Sequence, residues 1–162
     1  MPVSTQSLGN PLKWYLFKPY ALMVLILDHE RGLTHMSEKK ILIIDDNKDI
    51  RDLMRMILEK NSFIVFESDD GSNGLTIARE NKPDLILLDV MMPGLSGFDV
   101  LEQIRIEKDS QLREVPIMMI TAKSQSEDVD RALELGATGY IVKPFRQANF
   151  VEKVKLLLGI EG

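Results

Sequence analysis

A chain of 162 residues with 44% hydrophobic and 28% charged residues can build one well-buried globular domain and leave residues over. Its formal net charge of −5 at pH 7 argues against nucleic-acid binding through a basic surface. It has no cysteine, which excludes disulfides, thiolate metal sites and thiol nucleophiles, and its two histidines, His29 and His35, precede the globular part. Chemistry in the domain must therefore run on carboxylates, lysine, hydroxyls and backbone.

The first 35 residues read differently from the rest. They carry a net charge of +1, while residues 36–162 hold 17 basic side chains against 23 acidic ones, a net of −6. The apolar run from Trp14 to Leu27 has 14 residues, interrupted by Lys18 and Pro19. A membrane span needs about 20 apolar residues, so this run is too short. Its length suits a signal peptide, but no clear small-residue cleavage site follows Leu27. Trp14, Tyr15, Phe17 and Tyr20 beside a few cations would suit an interfacial anchor. Three readings stand: translation starting at Met36, a docked or partner-binding extension, and a membrane role. The domain boundaries are accordingly 1–35 for the extension and 36–162 for the globular domain.

From Met36 onward, apolar runs and amphipathic stretches alternate five times. Ile41–Ile44 is expected as a buried strand, followed by a helix with Ile50, Leu53, Met54, Ile57 and Leu58 on one face. Phe63–Phe66 and Ser72–Asn81 make the second strand and helix. Leu85–Leu88 and Gly97–Lys108 make the third pair, with Val100, Leu101 and Ile104 facing inward. Pro116–Ile120 and Ser126–Leu135 make the fourth, the helix stopped by Gly136. Tyr140–Val142 is a short fifth strand and Arg146–Leu158 the last helix. Continuous apolar strands, without alternation, are what helices on both faces of a parallel sheet produce. The fold class is α/β, a doubly wound (βα)₅ sandwich with a five-stranded parallel sheet.

In such folds, sites form beyond the carboxyl ends of the strands. The strand-end residues are Asp45 and Asp46, Asp89, Thr121 and Lys143. The stretch DLILLDVMMPGLSGFDVL, Asp84 to Leu101, raises the question most directly, since a hydrophobic strand delivers Asp89 into a loop containing Pro93 and Gly94. Three carboxylates converging in a small volume repel one another, burial raises their pKa values, and a cation relieves both effects. With oxygen ligands alone, the fitting ion is hard: Mg²⁺, with Mn²⁺ as a substitute. Asp89 is then a nucleophile toward phosphorus, with Lys143 and the Thr121 hydroxyl on the phosphoryl oxygens. Each residue alone has a duller reading. The acid pair would cap a helix, Asp89 would begin a turn, Thr121 would end a strand and Lys143 would be solvated. Tyr140, Met91-Met92 and Met118-Met119 would be packing. The conjunction favours a site.

These motifs resemble the receiver domain of bacterial two-component response regulators, of the CheY-like superfamily, from about Lys39 to Leu158. ILIIDDN is similar to the family's acidic-pair strand, DLILLDVMMPGLSGFDVL to its phosphoacceptor strand and loop, PIMMITA to its switch strand, and GYIVKPF to its lysine–proline turn. The resemblance implies the flavodoxin-like strand order 2-1-3-4-5. It implies that Asp89 accepts a phosphoryl group from a sensor histidine kinase or histidine phosphotransfer protein. It also implies that Asp45, Asp46, Asp89 and the backbone carbonyl of Met91 hold Mg²⁺. Lys143 would bind the phosphoryl group, aimed by a cis bond to Pro144. Thr121 and Tyr140 match the family's switch pair, whose movement changes the partner preference of the 126–158 face. Met91 and Lys123, two residues beyond Asp89 and Thr121, offer no acid or amide to orient attacking water, so slow self-dephosphorylation is expected.

The expected role is a phosphorylation-dependent signalling switch in the cytoplasm, not a multiple-turnover enzyme. Only Gly159 to Gly162 follow the last helix, so a stand-alone receiver is expected, acting by partner binding or as a phosphorelay intermediate, with neither nucleic acid nor a membrane as direct partner. Two rivals remain. A Mg²⁺-dependent aspartyl phosphohydrolase would want a second acid where Met91 stands, and a phosphorylation-independent interaction module would have little need for the acidic triad.

Overall fold

Each of the five apolar runs forms a strand in the computed structural model, which describes residues 39–122 and 126–160. The readings made of residues 1–35, of a start at Met36 and of Lys123 lie outside the described residues. In chain order the elements are β1 (Lys40–Ile44), α1 (Lys48–Lys60), β2 (Ile64–Ser68), α2 (Gly71–Asn81), β3 (Leu85–Asp89) and α3 (Gly97–Arg105). There follow α4 (Ser110–Arg113), β4 (Ile117–Thr121), α5 (Ser126–Glu134), β5 (Gly139–Val142) and α6 (Gln147–Leu157). The strands pair in parallel in the order β2-β1-β3-β4-β5, the flavodoxin-like arrangement.

Alternation along each strand sends neighbouring side chains to opposite faces, and both faces are covered. Leu42, Ile44, Ile86 and Leu88 meet Leu75, Leu101 and Ile104 of α2 and α3 on one side. Ile41, Ile43, Leu85 and Leu87 meet Met54 and Leu58 of α1 and Phe150 of α6 on the other. This double burial explains why β1 is apolar from Ile41 to Ile44 and β3 from Leu85 to Leu88. Each large apolar side chain so buried contributes about 1.5–3 kcal/mol.

Two expectations about helices are corrected. Leu53 does not share the buried face of α1 and is 41% exposed. At 3.6 residues per turn it lies about 100° round the helix from Met54, at the margin of the apolar stripe. The helix expected over Gly97–Lys108 ends at Arg105, with exposed Ile106 as its C-cap, and the short α4 follows. Asp109 caps α4 by accepting from the Gln111 N–H at 2.9 Å, and Leu112 is its buried residue. The packing expected of the methionine pairs holds for Met118 and Met119, which are fully buried, and for Met92, but not for Met91, which is 55% exposed.

The loop after β3 returns close beneath its own strand end. Gly97 opens α3 with its N–H on the Val90 carbonyl at 3.0 Å, under a capping box formed by Ser96 and Asp99. A Cβ at position 97 would overlap the Asp89 carbonyl oxygen and lie 2.9 Å from Val90 Cα, both rigid backbone atoms. We therefore expect Gly97→Ala to destabilise the fold by about 3 kcal/mol, measured by urea unfolding, as an overpacked core site does. A wild-type midpoint would show that the α3 entrance does not constrain β3.

Candidate functional site

The carboxyl edge of the sheet gathers residues that are far apart in sequence. Asp45 leaves β1 and is fully buried; its N–H extends the ladder to the Ser68 carbonyl of β2 at 3.1 Å. Asp46 follows it and is exposed. Neither acid caps α1. That task falls to Asn47, whose side chain accepts from the N–H groups of Asp49 and Ile50 at 3.0 and 3.2 Å. The acid pair is left free for the edge. Asp89 is the last residue of β3 and 5% exposed, so it is a strand-end carboxylate and does not begin a solvated turn. Thr121 ends β4 and is fully buried. Lys143 follows β5, its N–H on the Thr121 carbonyl at 2.7 Å and its bond to Pro144 cis.

Side-chain oxygens of Asp45, Asp46 and Asp89 lie within 4.8 Å of one another. The Lys143 ammonium donates to Asp45 Oδ2 at 2.6 Å and stands 3.5 Å from Asp89 Oδ2, with 15% of its side chain exposed. It is a half-buried partner of two acids, not a solvated surface lysine. The Asn47 N–H fixes the other Asp45 oxygen at 2.8 Å. The Met91 N–H bonds the Asp89 carboxylate. Sequence reasoning passed over Asn47 and Ser68 as supports of Asp45, although an Asn directly before a helix signals a cap.

Burial pushes the Asp89 carboxyl up to about 6, and the charges of Asp45 and Asp46 add to that rise. The attraction of Lys143 and the Met91 N–H oppose it without prevailing, because Lys143 sits closer to Asp45. An all-oxygen cluster that remains short of positive charge fits a hard divalent cation taking one ligand atom from each of Asp45, Asp46 and Asp89. Beside it, the Thr121 and Tyr140 side chains are hydrogen-bonded to each other. Burial raises the Tyr140 phenol above its ordinary value, as does the nearby charge of Asp128 on α5, and the bond from Thr121 partly offsets them. All the candidate residues thus share one edge. The three acids cluster, Lys143 pairs with Asp45 and Asp89, and Thr121 is hydrogen-bonded to Tyr140.

The sequence model of the response regulator receiver domain matches residues 41–155. The transcriptional regulatory protein ResD of Bacillus subtilis is 42% identical over 122 residues, which are 75% of this chain and 49% of ResD. The DNA-binding response regulator MtrA of Mycolicibacterium smegmatis is 38% identical over 120 residues, 74% of this chain and 50% of MtrA. The chain spans about half the length of these curated relatives. Among solved structures, the chemotaxis protein CheY4 of Vibrio cholerae superposes with a TM-score of 0.70 at 30% identity, covering 74% of this chain and 98% of that one. The same fold unit therefore fills one solved chain and makes up half of longer ones.

The raised carboxyl of Asp89 has a consequence for stability. The folded state holds the Asp89 proton to higher pH than the unfolded chain does, so this site's contribution to stability falls as pH rises from about 4 to about 6, then levels off. In Mg²⁺-free buffer we expect Asp89→Asn to be more stable than wild type by roughly 2–3 kcal/mol at pH 7.5. The gain should vanish near pH 4. Urea unfolding at the two pH values measures it, and a variant less stable at pH 7.5 would contradict the assignment.

Proposed function

We propose, from the premise that this chain belongs to the response regulator receiver family, that Asp89 accepts a phosphoryl group and that the domain switches partners as a result. Members of the family are signalling phosphoacceptors of two-component systems, not metabolic enzymes; they interact with histidine kinases and bind Mg²⁺ at an acidic pocket. The observation that carries the reading is the convergence of Asp45, Asp46 and Lys143 on a buried strand-end Asp89. Asp46 and Asp45 would hold Mg²⁺ with Asp89 and the Met91 carbonyl, and the ion would supply charge neutralisation for the phosphoryl oxygens.

The chain's own groups have separate tasks. With its carboxyl at about 6, Asp89 is largely ionised at neutral pH and is a competent nucleophile. One of its oxygens bonds to phosphorus, while the bond from phosphorus to the donor's imidazole nitrogen breaks and leaves its electron pair on that nitrogen. The Lys143 ammonium, already 3.5 Å from Asp89, pairs with the phosphoryl oxygens. The Thr121 hydroxyl exchanges its bond with Tyr140 for one to a phosphoryl oxygen, which releases the phenol to turn inward. The packing of α5, β5 and α6 then favours a different partner, a population shift that needs only a few kcal/mol of differential interaction. The donor would be a sensor histidine kinase or a histidine phosphotransfer protein. The domain would act in the cytoplasm, its output being partner binding or onward transfer of the phosphate. The exposed apolar side chain of Met91 cannot orient water, so the aspartyl phosphate should persist for longer than seconds.

Intact mass after incubation with acetyl phosphate tests this. We expect a single phosphoryl group, absent in EDTA and in Asp89→Asn, with Lys143→Ala slowed about 100-fold, as when one stabilising charge is removed. Thr121→Ala should still take up phosphate while losing any phosphorylation-dependent gain in partner binding. A phosphoryl group retained on Asp89→Asn would refute the assignment of the acceptor.

A further inference from the structure

Beyond β1 the Asp45 N–H continues the ladder to β2, while its carbonyl is met by a side chain of α1. That carbonyl accepts a hydrogen bond from Arg51 Nη1 at 2.6 Å. The Arg51 side chain is 14% exposed, and its Nε lies 3.8 Å from Glu67 Oε1 on β2. The second Glu67 oxygen is 3.3 Å from Arg55 Nη1, and Arg55 Nη2 donates to Asp52 at 2.9 Å. Arg51 is therefore a guanidinium set between a carboxylate and the peptide group that joins Asp45 to Asp46.

The two acids depend on that peptide unequally. The Asp45 carboxylate has its own anchors in the Asn47 N–H and Lys143. Asp46 is exposed, and no other described residue makes a hydrogen bond or ion pair with its side chain. With no such partner, its placement relies on the backbone that carries it, beginning with the peptide before it. Without a donor at the Asp45 carbonyl, that peptide would be free to turn toward water.

We infer that Arg51 is a positioning residue for the cation site, aiming the Asp46 carboxylate into the cluster through the Asp45–Asp46 peptide while Glu67 holds the guanidinium. The inference rests on the reading of Asp45, Asp46 and Asp89 as Mg²⁺ ligands. It makes a prediction opposite in sign to simple electrostatics. An arginine beside a cation site repels the cation, so its removal by charge alone would tighten binding. Removal of a group that orients a ligand weakens binding, typically by 10-fold or more.

Calorimetric titration of the full-length chain with Mg²⁺, at a temperature where every variant is folded, separates the two. We expect Arg51→Ala to bind about 10-fold more weakly than wild type, and Arg51→Lys to recover part of the loss, since an ammonium reaches the carbonyl but cannot also span to Glu67. Arg51→Met keeps most of the side-chain volume while losing both the charge and the donor, so it should show the same loss, and it carries the test if Arg51→Ala does not fold. The initial rate of phosphorylation by acetyl phosphate in Arg51→Ala should return to the wild-type value at saturating Mg²⁺. Affinity equal to or tighter than wild type in Arg51→Ala or in Arg51→Met overturns the role of Arg51. A wild type that takes up no Mg²⁺ overturns the reading of the acidic cluster itself, and the positioning role with it.

Discussion

Mutual repulsion among Asp45, Asp46 and Asp89 is the constraint on which the rest of this site depends. Two charges 4 Å apart in a partly buried setting interact by about 4 kcal/mol, and here three acids share that range of distance. Lys143 relieves Asp45 directly but Asp89 only at longer range, and burial leaves the Asp89 carboxyl raised to about 6. A pocket short of positive charge attracts a divalent cation. Under the proposed function, the pocket with that cation bound would receive a phosphoryl group on Asp89. The same imbalance that weakens the fold at neutral pH prepares the chemistry.

The sheet makes this arrangement possible because its strands are parallel and end at one edge. β1 and β3 are neighbours, so Asp45 and Asp89 leave adjacent strands. β4 and β5 lie next in order, which brings Thr121 and Lys143 to the same edge with a main-chain hydrogen bond between them. Asn47 caps α1 and thereby spares the acids that task, while Gly97 lets α3 begin directly beneath the Asp89 carbonyl. Thr121 lies at the same edge as the acidic pocket and is hydrogen-bonded to Tyr140, which lies on β5 near Asp128 of α5. A single hydroxyl thus stands between the reacting edge and the face proposed for output.

Much of this was legible in the sequence for a physical reason. Strands covered on both faces must be apolar at every position, so β1, β3 and β4 announce themselves, and an acid at the end of such a run is conspicuous. The convergence of Asp45, Asp46, Asp89, Thr121 and Lys143 then follows from topology. What escaped the reading depends on tertiary detail. Leu53 fits the apolar spacing loosely and lies at the edge of the stripe, and α4 is a single turn with one buried residue, too short for a periodic signal. Arg51 looks like an ordinary surface residue of an amphipathic helix. Only the structure shows its guanidinium on the Asp45 carbonyl.

The most direct test of the central claim is a ¹³C NMR titration of the Asp89 carboxyl group, assigned by comparison with Asp89→Asn, in Mg²⁺-free buffer and at saturating Mg²⁺. Crowding and burial predict a midpoint at about 6 without the cation and a clear downward shift with it. A midpoint near the ordinary aspartate value of about 4, unmoved by Mg²⁺, would mean that the three acids neither strain one another nor share an ion, and the account of the site would fail.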